Sequence, residues 1–157
     1  MTSSEELSAQ QQADERYMRL ALEEARKAAR LEEVPVGAVV VTHGRVVGRG
    51  HNLTEQLCDV TAHAEIQAIT AAAQTLGGKY LKDCTLYVTV EPCLMCAGAI
   101  GWSQMGRVVF GAADPKRGYR CFTQRPFHPK TLVSEGVLAD EASALMKDFF
   151  AGRRPAK

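Results

Sequence analysis

The chain has 157 residues, 46% of them hydrophobic, and a formal net charge of +1, which suits about one domain with a buried core. No apolar run approaches the ~18 residues that cross a membrane, so we expect no membrane-spanning segment. Residues 1–6 lack the basic and apolar parts of a secretion signal. Together with five cysteines outside any obvious disulfide framework, this predicts a cytoplasmic protein.

Charge is distributed unevenly along the chain. Residues 107–157 carry ten Lys or Arg and five Asp or Glu, whereas residues 1–106 carry nine and thirteen. A basic C-terminal third suits a partner with a phosphate backbone. An ordinary solvated surface explains the same excess, so charge alone does not choose between the two.

The elements predicted in chain order begin with a loose polar tail at 1–13, followed by a single domain at 14–157. Apolar residues at helical spacing predict a first helix from about Asp14 to Glu33. A nearly continuous β-branched run predicts a buried strand over 36–42, and His43-Gly44 predicts a tight turn into its partner. The remaining predictions are the partner strand 45–50, a helix 63–76, a strand 85–90, a helix 93–103, a strand 107–111, a short strand within 132–138 and a helix 139–152. This alternation predicts parallel strands with helices on both faces.

Two short motifs lie at the starts of predicted helices. His63 and Glu65 form H-x-E, and Pro92, Cys93 and Cys96 form P-C-x-x-C. The two cysteines are neighbours on a first helical turn, where free N–H groups and the positive helix end favour thiolates. One nitrogen and two sulfur donors are the set that zinc prefers, so His63, Cys93 and Cys96 are the candidate metal ligands.

Three protein ligands leave one tetrahedral position for water, as in catalytic zinc sites. Glu65 can then take a proton from that water and pass it to a leaving nitrogen. A redox C-x-x-C, or a structural zinc completed by a fourth cysteine, stays open as an alternative. Cys58 is the candidate fourth ligand, and Cys84 and Cys121 are expected to be buried or free thiols.

The paired motifs resemble those of the zinc-dependent cytidine and deoxycytidylate deaminase superfamily. Within it, the chain is most similar to the family of bacterial tRNA-specific adenosine deaminases, over roughly residues 16–154. The segments that carry this similarity are 33–38, 51–52, 61–65, 86–99, 106–112 and 136–141.

This resemblance implies an α/β fold, namely a three-layer α/β/α sandwich with a five-stranded mixed sheet. It also implies one Zn²⁺ per subunit, a homodimer, and hydrolytic conversion of the wobble adenosine of a tRNA anticodon stem-loop to inosine. The family's catalytic glutamate falls on Glu65, and its zinc ligands fall on His63, Cys93 and Cys96. Its base-contacting asparagine falls on Asn52.

Residues 112–131 combine basic and aromatic side chains. This combination suits unpaired nucleotides, because bases stack on rings while phosphates meet Arg and Lys. A surface loop pinned by two aromatics explains it equally simply. The candidate RNA contacts are Lys116, Arg117, Tyr119 and Arg120, with Arg153 and Arg154 near the C-terminus.

The sequence departs from the family at Ala113, where an arginine is usual, and in the loop 116–122. Two other functions therefore stay open. One is deamination of a free nucleobase or nucleoside of the cytosine or guanine type. The other is a non-catalytic, zinc-folded RNA-binding module.

Overall fold

The computed structural model describes residues 3–153, which form a five-stranded sheet between two layers of helices. In chain order the elements are α1 (Ser3–Arg30), β1 (Gly37–Thr42), β2 (Arg45–His51), α2 (Thr54–Leu57), α3 (Ala64–Leu76), β3 (Thr85–Val90), α4 (Leu94–Ser103), β4 (Arg107–Ala112), a 3₁₀ turn (Tyr119–Cys121), β5 (Leu132–Ser134) and α5 (Ala139–Ala151). No helix within this described part is long and apolar enough to cross a membrane.

The strand order is β2-β1-β3-β4-β5. Strand β1 is antiparallel to both β2 and β3, whereas β4 and β5 continue parallel to β3. Strand β2 therefore runs in the same direction as β3, β4 and β5, which confirms the parallel strands predicted from the alternation of strand and helix. Because of this common direction, the C-terminal ends of β2, β3 and β4 lie at the same edge of the sheet.

Alternate residues of the central strands face opposite helical layers. The cluster on the α1 side contains Met18, Ala21, Val39, Val41, Tyr87 and Val109. The cluster on the α3 and α4 side contains Ala38, Val40, Ala68, Ala72, Leu86, Val88, Ile100, Val108 and Phe110 among others. The central strands are thus buried on both faces, as their continuous apolar runs predicted.

The first helix differs from its prediction at both ends. It begins at Ser3 rather than near Asp14, and it ends at Arg30. The early start has a physical reason: residues 3–13 are rich in Gln, Ala and Glu, and residues of high helix propensity readily extend an existing helix. They carry no apolar stripe that would reveal the helix in the sequence. The loose tail predicted at 1–13 is therefore helical from Ser3, residues 1–2 lie outside the description, and the domain boundary at 14 stays a prediction.

The hairpin between β1 and β2 forms where the sequence predicted it. His43 and Gly44 both adopt positive φ, at 50° and 72°, as a tight turn between twisted antiparallel strands requires. The last strand is shorter than predicted and spans Leu132–Ser134, and Gly136 has a positive φ, of 82°, between this strand and α5. The segment between β2 and α3 contains the single helical turn α2.

Candidate metal and catalytic site

The two motifs meet at the edge where β2 and β3 end. His63 is the N-cap of α3 and Cys93 is the N-cap of α4, and both have extended backbone. The Nδ1 atom of His63 lies 3.6 Å from Sγ of Cys93 and 3.5 Å from Sγ of Cys96. The fold therefore brings all three predicted ligands together.

The separations of these donor atoms fit a tetrahedral zinc ion. Bonds of ~2.0–2.1 Å to nitrogen and ~2.3 Å to sulfur, at tetrahedral angles, place the two atoms about 3.6 Å apart. The cluster contains no fourth His, Cys, Asp or Glu donor from the described chain. Cys58 is instead exposed, with its thiol 3.8 Å from the carbonyl oxygen of Glu55. The open alternative of a zinc enclosed by a fourth cysteine is thus contradicted, and the donor set is that of a three-ligand site.

The two cysteines differ in acidity. The hydrogen bond from Cys96 lowers the pKa of Cys93 to about 4, and the same interaction raises the pKa of Cys96. A hydrogen bond with Cys93 raises the pKa of His63. Cys93 therefore favours the thiolate at neutral pH, which is the form of cysteine that binds metals.

Glu65 lies in the first turn of α3 and is only 3% exposed. Burial raises the pKa of this carboxyl to about 7, and its neighbours are the side chains of Cys96, Cys93 and His63. A carboxyl that ionises close to neutral pH can both accept and donate a proton. The structure thus places Glu65 beside the cluster, in a position to transfer protons there.

Asn52 reaches the same edge because β2 packs directly on the start of α3. A Cβ on Gly50 would lie 2.4 Å from the carbonyl oxygen of Ala64, so only a glycine permits this approach. Immediately after the strand, the N–H of Leu53 donates to the carbonyl of Ala62 at 2.9 Å. Asn52 itself is 8% exposed, and its side-chain oxygen accepts the backbone N–H two residues further on. A role in binding a base stays a prediction.

Glu33 binds the segment between Asn52 and His63, a contact that the sequence did not predict. Its side chain is fully buried, and it accepts the backbone N–H groups of Glu55 and Gln56 at 3.1 and 2.8 Å. This carboxylate therefore satisfies free N–H groups at the start of α2. Nothing in the local sequence indicates this contact, because donor and acceptor are more than 20 residues apart.

The structure contradicts a base-stacking role for Tyr119. This side chain is 4% exposed and packs edge-on against Phe110 and Phe127, with ring centroids 6.4 and 5.0 Å away. Its ring is thus part of the core and pins the loop, as in the second of the two explanations given for this segment. The physical reason is burial, because a ring that is 4% exposed has no free face on which a nucleotide base could stack.

The other candidate RNA contacts differ in their surroundings. Lys116 and Arg117 are exposed and make no ion pair with another described residue. Arg120 instead pairs with the buried Glu91 at 3.0 Å, and Arg153 lies 3.9 Å above the ring of Phe149. Arg154 falls outside the described residues. Contacts of these cations with RNA stay predictions.

Comparison with known proteins gives the same family for most of the chain. The model of the cytidine and deoxycytidylate deaminase zinc-binding region matches residues 11–112. The tRNA-specific adenosine deaminase of Agrobacterium fabrum is 45% identical over 143 residues, covering 88% of this chain and 94% of that protein. The tRNA-specific adenosine deaminase of Bacillus subtilis is 43% identical over 149 residues, covering 92% of each.

Solved structures of deaminases also resemble this fold. One, from studies of A-to-I editing by tRNA:A34 deaminases at the wobble position of transfer RNA, has a TM-score of 0.77 and 45% sequence identity. It covers 83% of this chain and 98% of its own. The guanine deaminase from Nitrosomonas europaea has a TM-score of 0.76 at 26% identity, covering 87% of this chain and 84% of its own.

Proposed function

The chain belongs to the cytidine and deoxycytidylate deaminase zinc-binding family. We propose that it catalyses hydrolytic deamination of the wobble adenosine of a tRNA anticodon, which gives inosine. The observation that carries the chemistry is the cluster of His63, Cys93 and Cys96 with a buried carboxyl beside it. The substrate is supported by relatives that carry this name and are 43–45% identical over nearly their whole length. Anticodon bases are already unpaired, so the target base reaches a pocket at small energetic cost.

His63, Cys93 and Cys96 would hold one zinc ion per subunit. When bound there, zinc supplies a Lewis acid that makes a water molecule nucleophilic at neutral pH. The remaining steps belong to side chains of this chain.

Glu65 is the proton carrier in the proposed reaction. Oxygen from water adds to C6 of adenine, and the bond between C6 and the exocyclic nitrogen breaks. Glu65 takes the protons of the water and delivers one to N1 of the ring and one to the leaving nitrogen, which departs as ammonia. The products are therefore inosine and ammonia.

Asn52 is the proposed contact for the base. A side-chain amide offers both donors and an acceptor, which matches the mixed edge of a purine. Its position at the end of β2, beside the start of α3, supports this role. Lys116 and Arg117 are the proposed contacts for RNA phosphates, because both are exposed on the loop that follows β4.

Incubation of the zinc-loaded protein with a tRNA that carries adenosine at the wobble position tests the proposal. Inosine, read by sequencing, is the expected product, and the same tRNA with guanosine at that position is the control. Absence of conversion would refute tRNA as the substrate. The fold is also similar to that of a guanine deaminase, so free guanine and cytosine are assayed in parallel. Turnover of these small bases without turnover of tRNA would establish the alternative enzyme.

We also propose a homodimer that forms through α4. Met95 and Trp102 lie on one face of this helix, seven residues apart, and are 39% and 86% exposed. Leu94, beside them, is 48% exposed. Large apolar side chains grouped on a surface are typical of protein interfaces. A second copy of the chain would cover this face.

A cytoplasmic location is part of the same proposal. None of the five cysteines, all of which lie among the described residues, forms a disulfide, as expected in a reducing compartment. A tRNA substrate also places the enzyme where tRNA is used. Fractionation of cells that express the tagged protein would test the location.

A further inference from the structure

Glu91 precedes the metal-binding cysteines and has an unusual environment. Its side chain is only 2% exposed, and its two oxygens accept hydrogen bonds from a segment more than 20 residues later. Oε1 accepts the backbone N–H of Asp114 at 3.1 Å, and Oε2 accepts the backbone N–H of Arg120 at 3.1 Å. The guanidinium of Arg120 donates a third bond, of 3.0 Å, to Oε1. One carboxylate therefore holds both ends of the loop 114–120.

The same loop is joined to the metal-binding segment through its backbone. The N–H of Tyr119 donates to the carbonyl of Pro92 at 2.8 Å, and Gly118 forms an isolated β-bridge with Cys93. A Cβ on Gly118 would lie 2.2 Å from a carboxylate oxygen of Glu91, so the loop packs on this carboxylate without space for a side chain. The loop thus lies directly beside a candidate zinc ligand.

The hydrogen bonds of Glu91 also fix the backbone that carries the exposed cations of the loop. Asp114, held by Glu91, accepts the backbone N–H groups of Lys116 and Arg117 at 3.1 and 3.0 Å. At the other end, Arg120 also pairs with Glu135 and lies 5.0 Å from the centre of the Phe110 ring. The backbone that carries Lys116 and Arg117 is therefore ordered before any ligand binds.

We propose that Glu91 is a positioning residue, which holds the loop 114–120 beside Cys93 so that Lys116 and Arg117 meet the phosphates of the RNA substrate at the rim of the site. This inference rests on the proposed function for the identity of that substrate. A loop ordered in advance loses less conformational entropy on binding. The effect of Glu91 therefore falls on substrate affinity rather than on the chemical step.

The test compares Glu91→Gln with Asp14→Asn. Asp14 is a matched control, because its carboxylate is also buried in an arginine ion pair but lies near the start of β4, at the opposite edge of the sheet. Amide hydrogen exchange over residues 114–120 measures the order of the loop. KM and kcat for an anticodon stem-loop, and the Kd of the same RNA in a Glu65→Ala background, measure substrate binding.

For Glu91→Gln we expect faster exchange over 114–120 and a KM and Kd about tenfold higher, with kcat within about threefold of the original. Asp14→Asn should change none of these values, although it lowers the melting temperature. If Glu91→Gln does not fold, Arg120→Met removes the guanidinium bonds while Glu91 stays, and Arg120→Lys should restore part of the affinity.

Unchanged exchange over the loop, or an unchanged Kd, would overturn the proposal. A fall in kcat with an unchanged KM would also overturn it, because Glu91 would then act on the chemistry. Failure of the original protein to convert the stem-loop counts against the proposed function instead, since the exchange and Kd measurements do not need turnover.

Discussion

The Nδ1 atom of His63 lies 3.5 Å from the Sγ atom of Cys96, although 33 residues separate them in the chain. This separation matches the distance between a nitrogen and a sulfur ligand in a tetrahedral zinc site. Cys96→Ser should therefore lower zinc affinity by more than about 100-fold, since even changes to groups around a ligand cost 10–100-fold. Zinc content by elemental analysis measures the loss, and a lower melting temperature should accompany it.

Cys58→Ser is the control for this ligand variant. Cys58 is exposed and lies outside the cluster, so its replacement should leave one zinc ion per subunit and an unchanged melting temperature. Loss of zinc from Cys58→Ser would contradict the three-ligand site.

Replacing Glu65 tests the proton carrier. Glu65→Gln preserves the shape of a fully buried side chain but can no longer accept the proton of a water molecule. We expect kcat to fall by about 10²- to 10⁴-fold, with zinc content unchanged. Single-turnover kinetics on the tRNA and elemental analysis measure the two quantities. Activity within a factor of about ten of the original would show that another group carries the proton.

The ion pair of Asp14 and Arg107 should govern stability in acid. Arg107 donates two hydrogen bonds of 2.8 Å to Asp14, and the hydroxyl of Tyr87 donates a third. Desolvation raises the pKa of Asp14, but these bonds outweigh it and hold the pKa below its ordinary value. The stabilisation is therefore complete above the unfolded pKa of ~3.9 and is lost as pH falls below it towards the lower folded pKa.

Asp14→Asn should accordingly cost on the order of 3 kcal/mol of unfolding free energy at pH 7, because it leaves Arg107 buried without its charge partner. The difference between variant and original should shrink as pH falls below about 4. Urea unfolding at several pH values measures both effects. Glu15→Gln is the control: its pair with Arg19 is exposed, so we expect a change below about 1 kcal/mol.

Removal of two exposed cations should weaken RNA binding through electrostatics. For the double variant Lys116→Ala, Arg117→Ala we expect a higher Kd and a slope of log affinity against log salt that is smaller by about 1.4 to 2, since each phosphate contact contributes about 0.7 to 1. Titration of a labelled stem-loop at several salt concentrations measures it. The double variant Lys79→Ala, Lys82→Ala is the control, because these residues precede β3 and lie at the opposite edge of the sheet. An equal change in slope for the two double variants would show that RNA does not bind specifically at the loop 114–120.

A charge on the exposed face of α4 should separate the proposed dimer. Trp102→Glu places a carboxylate where the side chain is 86% exposed in the single chain, so the monomer should fold unchanged. We expect the mass in solution, measured by light scattering, to fall to that of a monomer. Phe150→Glu, on α5 and the opposite layer, should leave the mass unaltered. A dimer that survives Trp102→Glu would exclude this face.

Much of the fold followed from local patterns. The strand 85–90 and the helix after Cys93 were predicted within a residue or two, because a nearly continuous apolar run and helix-starting residues are encoded over a few neighbouring positions. The candidate ligands were equally visible, since a metal demands particular side chains at the starts of helices. The early start of α1 was missed, because its first residues have propensity but no apolar stripe.

The sequence by itself determined the chemistry: which atoms could bind a metal and which carboxyl could carry a proton. Only the tertiary structure decided the surroundings of that chemistry. In the folded chain Tyr119 is buried, Arg120 pairs with Glu91, and Glu33 accepts a backbone N–H group at the start of α2. The reason is distance along the chain. Glu33 and Glu91 meet partners more than 20 positions away, and the local sequence carries no signal of those partners.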